Sequence, residues 1–463
     1  MSDARFLTGS TMRHVVVMTA TGAFGITFVF LVDAANLVWL SMLDQPGLIA
    51  AVGFAFAIQF FSVSSGVGLM IASTALVSRS IGAGDRALAR RQAGAAMIGA
   101  TLFQALVALL IVLLRHKLVT LAGAQGETAD LAARYLAMTV PSLVFMQIGL
   151  IASGVLRAEG LGAKAMYITL LSGAVLMCLD PVLILWLGLG LDGAAIGLVL
   201  FRIALMGLGI YFAVVQHQLV SRPTTSQFRE ILVPYFAVGL PAIATQMAAP
   251  AGNYLLTIVI APFGDDAVAA WAVIGRLTVV AFGGIFALSG AIGGIFGQNY
   301  GASQMERVRA TFKNAVAFCL IYTGAVWICL VLAAPGIAAL FDLAPVGRDI
   351  LWSFATVGVG GFVFVGLLFV SNAAFNNLGK PARSTFLNWS KEAALGWPAA
   401  IALSSYFGAS GVIYGQALAS AVVGALGCLW AWTFVKELAP PMQRRLDAMA
   451  TRPYANPDRY RRR

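Results

Sequence analysis

The amino-acid sequence predicts an all-α integral membrane protein with twelve transmembrane helices in two pseudo-symmetric six-helix bundles. Three observations carry that prediction: an apolar composition, twelve separate runs of spanning length, and a motif order that occurs twice. Of 463 residues, 60% are hydrophobic and 11% charged, at a mean hydropathy of +0.87. A soluble domain carries about a quarter charged residues. The 49 glycines suit helices that approach one another closely inside a bilayer.

A spanning helix needs ~20 mainly apolar residues. Such runs occupy 15–43, 48–77, 92–114, 132–156, 165–188, 193–216, 234–262, 267–296, 312–336, 350–375, 384–407 and 411–435. They divide the chain into an N-terminus (1–14), an N-terminal lobe (15–216), a linker (217–233), a C-terminal lobe (234–435) and a basic tail (436–463). Met1–Ser10 is polar, with no short apolar core before a cleavage site, so helix 1 is expected to stay as an anchor. With the N-terminus in the cytoplasm, fifteen Lys and Arg fall in cytoplasmic segments and eight in the tail. Four fall outside, and Arg202, Arg276 and Lys391 lie within helices. That bias fixes the orientation and an even number of spans.

The repeat is read from three loops. Ser78-Arg79-Ser80-Ile81-Gly82-Ala83-Gly84 follows helix 2, and Gly297-Gln298-Asn299-Tyr300-Gly301-Ala302-Ser303 follows helix 8, at an offset of 219. The same offset aligns Gly160 with Gly379, and a slip of one residue aligns Gly193 and Gly197 with Gly411 and Gly415. An even number of helices per repeat gives both halves the same orientation, a parallel duplication about the membrane normal that some transporters share.

The net charge of +11 does not indicate a nucleic-acid partner, because the basic residues are scattered through short loops and the tail Arg459-Tyr460-Arg461-Arg462-Arg463. That tail reads as lipid-proximal. No GxxxxGK[ST], HExxH or GxSxG occurs, and His14, His116 and His217 show no metal-ligand spacing. Cys178, Cys319, Cys329 and Cys428 sit in apolar runs and read as small buried hydrophobes. No catalytic residue, metal or cofactor is expected. Two related bundles leave a seam between them, and rocking one against the other implies transport.

Carboxylates inside spans point to a mechanism. Asp33 lies midway along helix 1, and Asp180 lies deep in helix 5 before Pro181, which removes a backbone donor. A charge at that depth costs about 3 kcal/mol on insertion scales, so it is paired, protonated or in a water-filled cavity. A carboxylate sheltered from water readily holds a proton, which makes both residues ion-coupling candidates. At Asp33's repeat position the second half has Gly252. Glu392, beside Lys391 in helix 11, reads as a snorkelling or structural residue near the cytoplasmic end. Asn36, Gln59, Gln147, Gln246 and Asn253 are the candidate substrate-cavity residues, with interhelical bonding as the alternative for each.

These residues together resemble the multidrug and toxic compound extrusion (MATE) transporters, most closely the DinF-type branch. Leu31-Val32-Asp33, Val77 to Asp85, Leu156-Arg157-Ala158-Glu159-Gly160, Leu179-Asp180-Pro181, Gly239-Leu240-Pro241 and Gly297 to Ala302 carry the likeness across residues 8–435. The resemblance implies a two-lobed antiporter exchanging an inward cation for outward organic compounds, often cationic and amphiphilic. It assigns Asp33 and Asp180 to coupling. The chain departs from sodium-site members of the branch, having Leu176 and Leu198 where those carry Asn and Thr. A hard cation wants several oxygen ligands, so the proton is favoured over sodium. The acids that other branches carry in helices 7 and 10 are absent, and so is the Pro early in helix 1, in Met18-Thr19-Ala20-Thr21.

The expectation is therefore a proton-coupled antiporter of the bacterial inner membrane. It functions as a monomer among membrane lipids, takes small-molecule substrates, and keeps both termini cytoplasmic. A flippase for a lipid-linked precursor is the alternative; a membrane enzyme or receptor would need catalytic clusters in loops that are too short here.

Overall fold

A computed structural model describes residues 4–43 and 46–441. The tail arginines fall beyond 441 and lie outside the described residues. The described chain is helical, and twelve segments cross the bundle. They are α1 (Thr11–Ser41), α2 (Pro46–Gly82), α3 (Arg86–Leu121), α4 (Gly126–Glu159), α5 (Gly162–Trp186), α6 (Gly190–Gln216), α7 (Thr225–Phe263), α8 (Asp265–Gly301), α9 (Met305–Leu340), α10 (Pro345–Leu378), α11 (381–407) and α12 (Ser410–Lys436). Eleven are long and apolar enough to span a bilayer, three of them (α5, α6 and α10) with π-helical stretches of their own. The exception is α11, built as an α-helix (Pro381–Trp389), a π-helical turn (Ser390–Gly396) and a second α-helix (Trp397–Phe407), with Lys391 and Glu392 in the π turn.

Local chemistry sets the ends. The Ser10 hydroxyl caps α1 and the Asp85 carboxylate caps α3 by accepting from Leu88 N at 2.8 Å. Thr224 and Gln227 form a capping box that starts α7. The span α7 therefore begins at Thr225, nine residues before the expected 234, and the connector between lobes shortens to 217–224. α1 likewise begins at Thr11, inside the segment expected to be loop. Equivalent glycines end equivalent helices: Gly160 after α4 and Gly379 after α10 both take left-handed backbone, φ 85° and 92°.

The expected loop motifs are corrected. Ser78–Gly82 is the last turn of α2, and Gly297–Gly301 is the last turn of α8, because both helices run past the bilayer-length core the hydropathy marks. Gly239-Leu240-Pro241, six residues into the span expected from 234, lies in the middle of α7. Only Cys319 is buried; Cys178 and Cys329 lie on the surface, and all four are free.

The lobes meet through α1 against α8, α2 against α7, and α2 against α8. With α1 equivalent to α7 and α2 to α8, this is the reciprocal pattern a two-fold axis generates. The axis is visible at side-chain level. Gly297 lies directly on Ser78, its repeat equivalent, while Gly82 lies against Gln298 and Gly301 against Arg79. Around it, Arg79 Nε and Nη2 donate to the carbonyls of Asn377 (2.6 Å) and Asn376 (3.1 Å). Gln298 Nε2 donates to Ala158 O (2.6 Å), and its Oε1 accepts from Phe6 N (3.0 Å). Arg307 donates to Phe6 O and Gly9 O (2.7 and 2.9 Å), so the short N-terminal turn Arg5–Leu7 straps the lobes together.

Candidate functional site

Asp180 is buried in α5, two residues before the π-helical stretch Val182–Trp186. Its Oδ2 accepts from Asn36 Nδ2 of α1 at 2.6 Å, while its Oδ1 is buried without a hydrogen-bond partner. α6 can approach because position 197 is glycine: a Cβ there would collide with Oδ1 and lie 3.1 Å from Leu176 Cδ1. The carboxylate is thus held between one amide and an apolar wall. Asp33 stands one turn before Asn36 on α1, half-buried, within electrostatic reach of both Asp180 and Arg202.

Arg202 of α6 is 4% exposed and joins three segments. Its Nη1 donates to Thr139 O (2.6 Å) and Ser142 Oγ (3.0 Å), and its Nη2 to Gln59 Oε1 of α2 (2.8 Å). Gln59 Nε2 in turn donates to Thr139 Oγ1 at 3.1 Å. A guanidinium is therefore fixed within electrostatic reach of Asp33, with no ion pair to Asp33 or Asp180.

The structure brings Asp33, Asp180 and Asn36 into one cluster and attaches Gln59 to it through Arg202. It does not bring in the other candidates. Gln147 is 1% exposed and sits against Gly66 of α2, donating to Gly66 O at 3.4 Å, which makes it an interhelical contact within the lobe. Gln246 is half-buried and Asn253 exposed on α7 in the other lobe. Arg202 was visible in the sequence as a charge inside an apolar run, but hydropathy does not say which helices it faces. Of the two expectations for Glu392, snorkelling or structural, the geometry of Lys391 and Glu392 matches the second. Both are 8% exposed and paired to each other at 2.5 Å.

Two related six-helix lobes meeting on an axis along the bundle, with acidic side chains buried inside the spans, are the architecture of a class of membrane transporters. Known proteins narrow that class. The MatE family model matches residues 23–182 and 241–398, one stretch in each lobe, and the chain belongs to the MATE family of secondary transporters. The chain is 24% identical to an FAD transporter of Shewanella oneidensis, over 92% of this chain and 95% of that protein. It is 22% identical to the multidrug export protein MepA of Staphylococcus haemolyticus, over 84% and 86%. The fold superposes on the outward-facing structure of a multidrug resistance MATE family transporter with TM-score 0.88 at 24% identity, covering 95% of this chain and 99% of that one.

Proposed function

We propose that this transporter is a proton-driven antiporter that exports small organic cations across the bacterial inner membrane, with Asp33 and Asp180 as its coupling site and both termini cytoplasmic. The observation that carries the proton is the environment of Asp180: one oxygen on Asn36, the other buried and unpartnered, and Leu176 beside it. A sodium ion wants several oxygen ligands in one shell, which an amide donor and a leucine do not supply. A proton needs only one unpartnered oxygen. Protonating Asp33 of α1 and Asp180 of α5 removes charge from the contact between the two helices, which frees α1 to shift and release the solute outward. The lobes are strapped at the N-terminal end, and with that end cytoplasmic the closed gate faces the cell interior.

Cationic solute follows from the acids themselves, since a carboxylate that takes a proton also attracts an organic cation and the two compete. A second reading is a phosphorylated organic anion. It is favoured by the FAD transporter relative and by the buried guanidinium of Arg202. Efflux from proteoliposomes under an imposed proton gradient, with and without sodium, tests both. The first reading expects ethidium to move without sodium; flavin nucleotide moving instead selects the second.

A further inference from the structure

The C-terminal lobe lacks an acid at the repeat position of Asp33, where Gly252 stands. The structure shows what occupies that space. A Cβ on Gly252 would collide with the Glu392 carboxylate of α11. In the N-terminal lobe the same helix pair is filled the other way round: Gly173 of α5 receives Phe28 and Val32 of α1. The helix contacts correspond as well. Gly197 meets Asp180 between α5 and α6, and its equivalent Gly415 meets Ala399 and Ala400 between α11 and α12. The second lobe thus has an alanine where Asp180 would be, and its buried acid enters from α11 against the glycine that replaces Asp33.

Three features separate Lys391 and Glu392 from an ordinary structural ion pair. Neighbouring residues on an α-helix do not face each other. Here they sit in a π-helical turn, one of four in the described chain, whose extra residue per turn brings them together at 2.5 Å. Among the described residues the Glu392 carboxylate has no polar partner besides Lys391. A buried ion pair is also weak support for stability, since apolar residues of like volume serve equally well. Each side chain still keeps about a tenth of its surface accessible, 9% and 10%.

We propose that Glu392 is a cation-binding residue of the C-terminal lobe, with the Lys391 ammonium as a tethered counter-ion that an organic cation displaces on binding. The pair keeps the empty site electrically neutral. Displacement makes and breaks no covalent bond; one ammonium leaves the carboxylate as another positive group takes it. This inference rests on the cationic-solute reading above and adds its second contact point.

The test uses the full chain purified in detergent and radiolabelled tetraphenylphosphonium, with binding measured by equilibrium dialysis and folding followed by melting temperature. Glu392→Gln is expected to weaken binding about tenfold. Lys391→Met, which removes the competitor, is expected to tighten it severalfold, and Lys391→Arg to leave it near wild type. Opposite signs from the two halves of one pair are the signature, because a merely structural pair loses function in the same direction from either side. Equal losses, or no change, in the two variants overturn the proposal. Should Glu392→Gln fail to fold, Gly252→Ala replaces it: its methyl presses on Glu392, and unchanged binding there counts against the site. Wild-type protein that binds no tetraphenylphosphonium fails the cationic reading and takes this inference with it. Binding that Asp33→Asn abolishes but the α11 variants leave untouched overturns the C-terminal site alone.

Discussion

Gly297 rests directly on Ser78, and these two residues are each other's counterparts in the internal repeat. The pseudo-two-fold axis passes between them. Contacts on either side are exchanged as the axis requires, with Gly82 on Gln298 and Gly301 on Arg79. The small residues are there because two helix ends cross at backbone distance, and a side chain at either glycine meets main-chain carbonyl atoms that cannot move aside.

That symmetry makes a matched pair of predictions. Gly82→Val and Gly301→Val should each wedge the closed end apart, with an overpacking penalty of about 1–3 kcal/mol. Both should slow transport to a similar degree and expose a cysteine placed near Ser78 to a water-soluble thiol reagent. A large defect in one variant and none in the other would contradict the reciprocal interface.

Gly197→Ala tests the cage of Asp180. The added methyl collides with the buried Oδ1 while leaving every titratable group in place. Proton-driven transport should fall about tenfold or more while the melting temperature changes little. Wild-type rates in Gly197→Ala would show that the position of the Asp180 carboxylate does not matter.

Arg202→Met should be destabilising. It strands Gln59 Oε1 in a buried place, at about 1–3 kcal/mol for the unsatisfied group, and leaves Ser142 Oγ and Thr139 O with only their bond to each other. Thermal unfolding in detergent reads this as a lower melting temperature. An unchanged melting temperature would mean that the guanidinium does not hold α2, α4 and α6 together.

His217, just outside α6, carries a pH prediction. Burial first, then the positive charges of Lys164 and Arg5, hold its imidazole below the ordinary 6.5, with Glu159 opposing. The unfolded chain takes up a proton near 6.5 that the folded protein refuses, so folding loses stability as pH falls below that value. Above it the penalty is absent. His217→Gln should flatten the drop in melting temperature between about pH 7 and about pH 5. Parallel curves for variant and wild type would exclude His217 as a source of acid sensitivity.

Much of this fold was legible because a bilayer imposes a length and a hydropathy on every span. The α11 segment shows the limit. Lys391 and Glu392 lower its hydropathy, and the distortion that lets them pair is a backbone property that periodicity does not encode. Asp33 and Asp180 stood out as charges that apolar runs do not otherwise tolerate, and Asn36 stood one turn from Asp33. The partners were not legible. That Arg202 faces Gln59 while Gln147 faces Gly66 depends on how helices rotate about their axes, and uniformly apolar helices give little indication of which face is turned inward. The Gly-rich motifs resemble loops because they are polar, yet polar helix ends that project past the membrane serve equally well as an interface.

The measurement closest to the central claim is solute efflux from proteoliposomes under a proton gradient in sodium-free buffer, comparing wild type with Asp33→Asn and Asp180→Asn. The account predicts that wild type exports the solute and that both variants, folded as judged by melting temperature, lose gradient-driven export. Full proton-driven export by Asp33→Asn, or export by wild type only when sodium is present, would contradict it.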